Sequence, residues 1–384
     1  MRHVCSVFHA LLKFVPWDRF EKLVDEHGAD RRVRRLTTKS QLVALLYGQL
    51  HGAQSLREIE AGLASHQARL YHVGARGASR STLADANAGR PAAVFTGLLE
   101  AMLGQASRGL RKKVGEAVRL IDSTGLKLSG LGAEWARFST GVCGAKLHLV
   151  YDPDSARPLY VQLTSARVND ITVAQALPIE AGATYVFDLG FYDYRWWAEL
   201  DAAGCRLVTR FKKNTPLSLV AELPLAPGSA VLSDCIGHLP ERQAASRKNP
   251  FQEPVREIRV MTETGKELRL LTNDLDTAAD EIADLYKRRW QIELFFRWVK
   301  QTLEIRHFVG NSENAVRIQI AVALIAYLIL KLAHEMTKSK HSPLGFTRLV
   351  RANLMHRRPL DQLDKPPPPT PINPKQTEFK LLLA

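Results

Sequence analysis

Near Glu116 the spacing of the apolar residues changes, and that change does most to limit what the chain can build. Before it the period is helical. Trp17–Glu26 is amphipathic after Pro16, and residues 38–50 carry Leu42, Leu45, Leu46 and Leu50 at helical spacing. Ser55-Leu56-Arg57-Glu58 has the capping-box pattern ahead of Ile59 and Leu63, with Gly62 a weak point near that helix's end. Further helices are predicted over 81–87, after the Gly74 to Gly77 turn, and over 92–102. After Glu116 come short apolar runs at 118–121, 146–150 and 159–163, the last two divided by the turn Asp152-Pro153-Asp154. A helix over 169–177, a strand over 184–187, a helix over 194–203 and a strand over 206–209 follow. Strands interleaved with helices predict an α/β domain with a mixed sheet.

Two more changes divide the rest. Residues 210–273 contain strand-like segments at 230–232, 255–261 and 267–272, joined by Gly- or Pro-containing turns with no long helix between them. Helix returns from about Thr277 and is expected to continue past Lys300, then again over 313–336 and 349–354, before the run Pro366-Pro367-Pro368-Pro369. The predicted organisation is a helical DNA-binding region (1–114), the first part of an α/β core (115–209), a β-rich insertion (210–273) and the second part of the core (274–310). A C-terminal helical region (311–362), a candidate for dimerisation, and an extended Pro-rich tail (363–384) complete it.

A net charge of +14 does not help a chain of 384 residues to fold, so it speaks of partners, and a polyanion is the natural one. A membrane surface fits less well. The longest apolar run, 321–330, is ten residues between Arg317 and Lys331, short of the 18 or more that a span requires. The N-terminal residues lack a signal-peptide pattern, so the expected location is the cytoplasm, in association with the nucleoid. Cys5, Cys143, Cys205 and Cys235 are far apart with no Cys-x-x-Cys pair, and His334-Glu335 lacks the second histidine of a zinc-protease helix. Any metal is expected to be a hard cation held by oxygen. Basic residues concentrate at Arg31, Arg32, Arg34 and Arg35, with Arg69, Arg76, Arg80, Arg90, Arg108, Arg111, Lys112 and Lys113 after them. Such clusters neutralise backbone phosphates, although a solvated charged surface has the same pattern. The polar segment 79–87 is the candidate for reading bases.

Chemistry is concentrated in three acidic residues. Asp122 follows the apolar strand Val118-Arg119-Leu120-Ile121, and Asp188 follows Tyr185-Val186-Phe187 and precedes Leu189-Gly190. A strand-end aspartate often only caps a turn, but two in the same setting within a basic chain can converge on one ligand. The third, Glu293, lies in a helical segment with Tyr286, Arg289 and Lys300, at spacings of three, four and seven that bring the four to one face. Ile292, Phe295, Phe296 and Val299 give that helix an apolar side. Three carboxylates with a phosphate oxygen suit two Mg²⁺ or Mn²⁺ ions roughly 4 Å apart. Arg289 would fork onto a phosphate, Lys300 would act as a point charge on the DNA strand, and Tyr286 would bond phosphate or steady Glu293.

Tyr286, Arg289, Glu293 and Lys300 match the Tyr-x2-Arg-x3-Glu-x6-Lys motif in full, Ile121-Asp122-Ser123-Thr124 is similar to a first acidic motif, and residues 186–193 to a second. On these residues the whole chain resembles the DDE insertion-sequence transposases. The resemblance implies an RNase H-like core, recognition of terminal inverted repeats, pairing of two ends by a homodimer, insertion into target DNA by cut and paste, and a hairpin at the excised end. It also implies an aromatic that holds a flipped base. Relatives use a tryptophan of the β insertion, but 210–273 contains none, which leaves Trp196, Trp197, Phe211 and Phe251 as candidates. Asp193 is a rival to Asp188 for the second carboxylate. Two other functions share these features: an RNase H-like nuclease that cuts without joining, and a DNA-binding regulator with an inactive site.

Overall fold

The computed structural model describes residues 5–108, 117–128, 137–139, 142–244, 247–302, 310 and 312–365. They fall into a larger unit, residues 15–328, and a smaller one made from the two ends of the chain, 1–14 and 329–384. Arg111, Lys112, Lys113, the side chain of Arg108 and the proline run 366–369 lie outside the described residues.

The smaller unit contains α1 (Val7–Leu12), whose first amides donate to the other end of the chain: Val7 N to His356 O at 3.0 Å and Phe8 N to Leu354 O at 2.7 Å. Nothing in the sequence pattern pairs these two ends.

The larger unit begins with helices α2 (Trp17–Glu26), α3 (Thr38–His51), α4 (Leu56–Ser65), α5 (Gln67–Leu70), α6 (Arg80–Gly89) and α7 (Ala92–Arg108). At α4 the Ser55 side chain accepts from Glu58 N, while Glu58 reaches back to Gln54 N at 2.9 Å, so the capping box closes one residue early. Gly62 does not end α4. A Cβ there would lie 2.5 Å from the Tyr47 hydroxyl, and one at Gly48 would lie 2.6 Å from Ile59, so two glycines allow α3 and α4 to pack at close range.

The strands are β1 (Val118–Leu128), β2 (Arg137–Ser139), β3 (Val142–Asp152), β4 (Arg157–Ser165), β5 (Thr184–Val186), β6 (Arg206–Arg210), β7 (Ser218–Glu222), β8 (Val231–His238), β9 (Arg242–Ala244), β10 (Arg247–Lys248), β11 (Val255–Met261) and β12 (Glu267–Thr272). Among the described residues ten of them make one sheet in the order β2-β3-β1-β5-β6-β12-β11-β8-β7, with β4 also on β3. β1, β5 and β6 are parallel, and the other pairs are antiparallel. This is a mixed α/β fold of RNase H-like architecture, with helical regions before and after it in sequence. Of the strands in 210–273, β7, β8, β11 and β12 join the central sheet, because β12 returns to pair with β6, while β9 and β10 pair with each other.

Helix α8 (Asp170–Gln175) leads from β4 to β5, and α9 (Tyr194–Ala202) connects the parallel strands β5 and β6. Around α9 the rings of Phe187, Phe191, Tyr192, Tyr194, Trp196 and Trp197 pack on one another at centroid distances of 4.6–6.4 Å. The helix expected from Thr277 past Lys300 is two helices, α10 (Ala279–Arg288) and α11 (Trp290–Thr302), broken at Arg289. Next comes α12 (Glu313–Thr337), which by length and composition could cross a membrane. Its apolar window is 78% buried, as expected of a core helix. The Asn314 amide donates to Asn87 O and Arg90 O at 2.9 and 2.6 Å, tying the start of α12 to the α6–α7 junction. The last helix, α13 (Pro343–Asn353), belongs to the smaller unit.

Candidate active site

β1 does not stop at Asp122. It runs on to Leu128 against β3, but its parallel pairing with β5 ends at Leu120 opposite Val186. Asp122 and Asp188 therefore each lie two residues beyond the same paired position, where the sheet opens between the strands. Asp188 Oδ1 is oriented by Gly190 N at 2.8 Å, and Asp122 Oδ1 by Ser123 N at 2.7 Å.

The third carboxylate comes from α11, held to the sheet by Phe295, whose ring lies 5.3 Å from Tyr151 of β3 and 4.9 Å from Tyr327 of α12. At the break between α10 and α11 the Arg289 guanidinium spans two acids, donating from Nη1 to Asp122 Oδ2 at 3.2 Å and from Nη2 to Glu293 Oε1 at 2.5 Å. Burial pushes the Asp122 carboxyl up to about 7; Asp188 and Glu293 add to the rise, while Ser123 N and Arg289 oppose it. Asp122, Asp188 and Glu293 thus share one electrostatic neighbourhood, with the Arg289 guanidinium inside it.

Asp193 stands elsewhere. It caps α9, accepting from Arg195 N and Trp196 N, and pairs with Arg247 at 3.3 Å. The Tyr286 hydroxyl and Arg289 Nε are buried and complete no hydrogen bond among the described residues, which leaves polar capacity for a ligand. Burial raises the Tyr286 pKa, so its hydroxyl stays a donor. Lys300 lies about two turns beyond Glu293 on α11 and is half-buried.

No group of three metal-ligating His, Cys, Asp or Glu side chains is assembled among the described residues. Between Asp122 and Glu293 stands the Arg289 guanidinium, which bonds both. Acidic oxygens drawn to one positive group suit a hard divalent ion once that group moves aside.

Arg31, Arg32, Arg34 and Arg35 are all exposed on the turn between α2 and α3, which Asp30 pins by accepting from Thr38 N and Oγ1, both at 2.7 Å. On α6 the exposed polar side chains are Arg80, Ser81, Thr82 and Asp85, while Asn87 is turned inward and accepts from Gln41 at 2.7 Å. The four candidate stacking rings lie in the interior: Trp196 is 2% exposed, Trp197 0%, Phe211 4% and Phe251 2%. A base cannot stack on them without opening the core, so the structure places these aromatics among packing residues.

One group beside the site gave no sequence signal. Asp170, the first residue of α8, accepts from Ser123 Oγ at 2.7 Å and from Lys146 Nζ at 3.2 Å. An aspartate that follows Asn169 at a helix start reads as an ordinary cap.

Residues 113–329 match the profile of a family described as a transposase DDE domain, and residues 3–76 match a domain of unknown function, DUF4372. The protein y4zB of Sinorhizobium fredii, named as a transposase, is 41% identical over 289 residues, 75% of this chain and 81% of that one. The protein of insertion sequence element IS5377 of Geobacillus stearothermophilus, also named as a transposase, is 29% identical over 276 residues, 71% of this chain and 72% of that one. The transposase for insertion sequence element IS421 of Escherichia coli is 25% identical over 344 residues, 78% of this chain and 85% of that one. The piggyBac transposase synaptic complex aligns with a TM-score of 0.46 at 11% identity, over 99% of this chain and 85% of that one, too low to carry weight.

Proposed function

This chain belongs to the DDE transposase family, an enzyme family of metal-dependent DNA recombination, and from that premise we propose that Asp122, Asp188 and Glu293 are its catalytic carboxylates. The supporting observation is the shared position of Asp122 and Asp188 past the β1/β5 pairing, with Glu293 brought to Asp122 by one arginine. In this reading the three would hold two Mg²⁺ or Mn²⁺ ions. Bound there, divalent cations supply activation of water or of a 3′-hydroxyl and neutralise charge developing at phosphorus.

The protein's own groups do the rest. Arg289 leaves the carboxylates and turns its fork to the scissile phosphate, a better match for a planar donor than for divided carboxylates. Tyr286 donates its hydroxyl to the same phosphate or to Glu293, and Lys300 contributes charge along the strand. Arg31, Arg32, Arg34 and Arg35, with the exposed face of α6, bind the terminal inverted repeats; the arginines give salt-dependent affinity and α6 contacts bases. A homodimer pairs two such ends and joins them to target DNA by cut and paste, through a hairpin on the excised end.

The test is cleavage and strand transfer on DNA carrying the inverted repeats that bound the gene, in Mg²⁺. Asp122→Asn, Asp188→Asn and Glu293→Gln should each reduce both steps by at least about a thousandfold while end binding persists. Wild-type rates in all three would overturn the assignment. Cleaved ends with no joined product would leave a nuclease.

A further inference from the structure

Asp170 belongs to none of the three acidic motifs, yet it bonds the segment that carries one of them and packs against the turn that carries another. Ser123 lies opposite His148, and Gly125 opposite Lys146, in the β1/β3 ladder. Strand alternation therefore puts Ser123, Lys146 and His148 on one face and Asp122 on the other. On the Ser123 face, Asp170 Oδ1 accepts from Ser123 Oγ at 2.7 Å and from Lys146 Nζ at 3.2 Å, with His148 Nδ1 at 3.5 Å. His148 is 3% exposed and holds Thr164 Oγ1 at 2.8 Å through Nε2, leaving Nδ1 with no other partner among the described residues. The opposite oxygen faces the second acidic segment. A Cβ built on Gly190 would lie 3.4 Å from Asp170 Oδ2 and 3.0 Å from Asp188 Oδ1, so both side chains close on the one residue that leaves room for them.

We infer that Asp170 is a positioning residue, which fixes the strand that carries Asp122 against the turn that carries Asp188. Its Oδ1 is engaged by Ser123 and Lys146, on the face of the sheet away from Asp122. Its oxygens do different work: Oδ1 locks Ser123, whose amide orients Asp122, and Oδ2 supports the Gly190 turn, whose amide orients Asp188. The inference rests on Asp122 and Asp188 acting together. Support groups of this kind alter metal affinity by about 10- to 100-fold when removed.

The experiment uses the full chain with Mn²⁺ as the probe, followed by paramagnetic resonance without DNA and well below the melting midpoint. Strand cleavage and circular dichroism are measured on the same samples. Asp170→Ala should weaken Mn²⁺ binding and slow cleavage by about 10- to 100-fold while the protein stays folded. Ser123→Ala, which cuts only the Oδ1 link, should do the same to a smaller degree. Folded Asp170→Ala with Mn²⁺ affinity and cleavage within about twofold of wild type would overturn the inference; the bound sits below that expected loss. If Asp170→Ala does not fold, Ser123→Ala decides: weaker Mn²⁺ binding supports the role, and wild-type binding overturns it. Asp122→Asn serves as the control, since wild-type cleavage there would overturn the carboxylate assignment whatever Asp170 does.

Discussion

The two halves of the central sheet treat buried carboxylates in opposite ways. In the half built by β8, β11 and β12, each one has an arginine of its own. Arg256 grips Asp234 with two bonds of 2.7 and 2.6 Å, and Arg269 grips Glu257 with bonds of 2.7 and 2.8 Å. Asp274 pairs with Arg206 at 2.8 Å and also accepts from Thr277 and Asp276 amides. Burial works against the charge on Glu257 and Asp274, but these partners hold both acids low, Asp274 at about 2. At the candidate catalytic acids beside β1 and β5 the reverse holds, whereas Asp193, which caps α9, has Arg247 of its own. One arginine serves Asp122 and Glu293 together, and Asp122 rises to about 7. Structural acids are neutralised by the fold, whereas Asp122, raised first by burial and then by its acidic neighbours, shares its guanidinium with Glu293, and such a group favours an incoming cation.

The comparison breaks if both halves respond alike to loss of a carboxylate. Asp234→Asn strands a guanidinium whose side chain is 5% exposed, and should cost about 3–5 kcal/mol. For a domain of this size that lowers the melting midpoint by roughly 10 °C. Asp122→Asn keeps an oxygen for Ser123 N, removes a repelled charge and leaves Arg289 its bond to Glu293. Its midpoint near pH 8 should equal or exceed that of the wild type. A fall at Asp122 as large as the one at Asp234 would make the acid at β1 another structural ion pair.

pH should separate the halves by sign. Asp274 ionises more readily folded than unfolded, so its contribution, about 2 kcal/mol, is present above the ordinary value near 3.8 and lost as pH falls toward about 2. Asp122 holds its proton more tightly when folded. Its contribution is favourable in acid, declines as pH rises from 3.8, and is gone above about 7. Wild type minus Asp274→Asn should therefore gain stability from pH 3 to 5, and wild type minus Asp122→Asn should lose it from pH 4.5 to 8. Parallel slopes in denaturant titrations would contradict the distinction.

Much of this was legible in residue spacing, and the remainder was not for a physical reason. Local pattern gave α2, β11 and β12 to the residue, because α2 buries one recurrent face and the two strands are bounded by turns. The same spacing brought Tyr286, Arg289 and Glu293 together, since residues three and four apart remain neighbours across the break at Arg289. Contacts made over long separations left no pattern. The β6/β12 pairing that merges the insertion with the core depends on strands 60 residues apart, such as Arg210 and Leu270. The bond from Ser123 to Asp170 crosses 47 residues. Trp196 and Trp197 drew attention as stacking rings because the resemblance implies an aromatic that holds a flipped base, whereas their helix needs them to fill the space over Phe187. A large aromatic near an acidic motif carries no label to say which way it faces.

The shortage of positive charge at β1 can also be made worse, and this is the smallest of the expected effects. Arg289 bonds both Asp122 and Glu293, so a divalent ion must compete with the guanidinium for the same oxygens. Arg289→Ala removes that competitor and leaves three acids with a stronger field. Mn²⁺ binding without DNA should tighten by about tenfold, or about 1.4 kcal/mol, while cleavage falls because the phosphate loses its fork. Affinity and activity thus move in opposite directions for one substitution. The corresponding change at Arg256, whose acid has no other use, should create no comparable Mn²⁺ site and should only destabilise the fold. Were Arg289→Ala to weaken Mn²⁺ binding in a folded protein, Arg289 would be a support for the carboxylates and not their stand-in cation, and the contrast between the two halves would narrow to the pKa values alone.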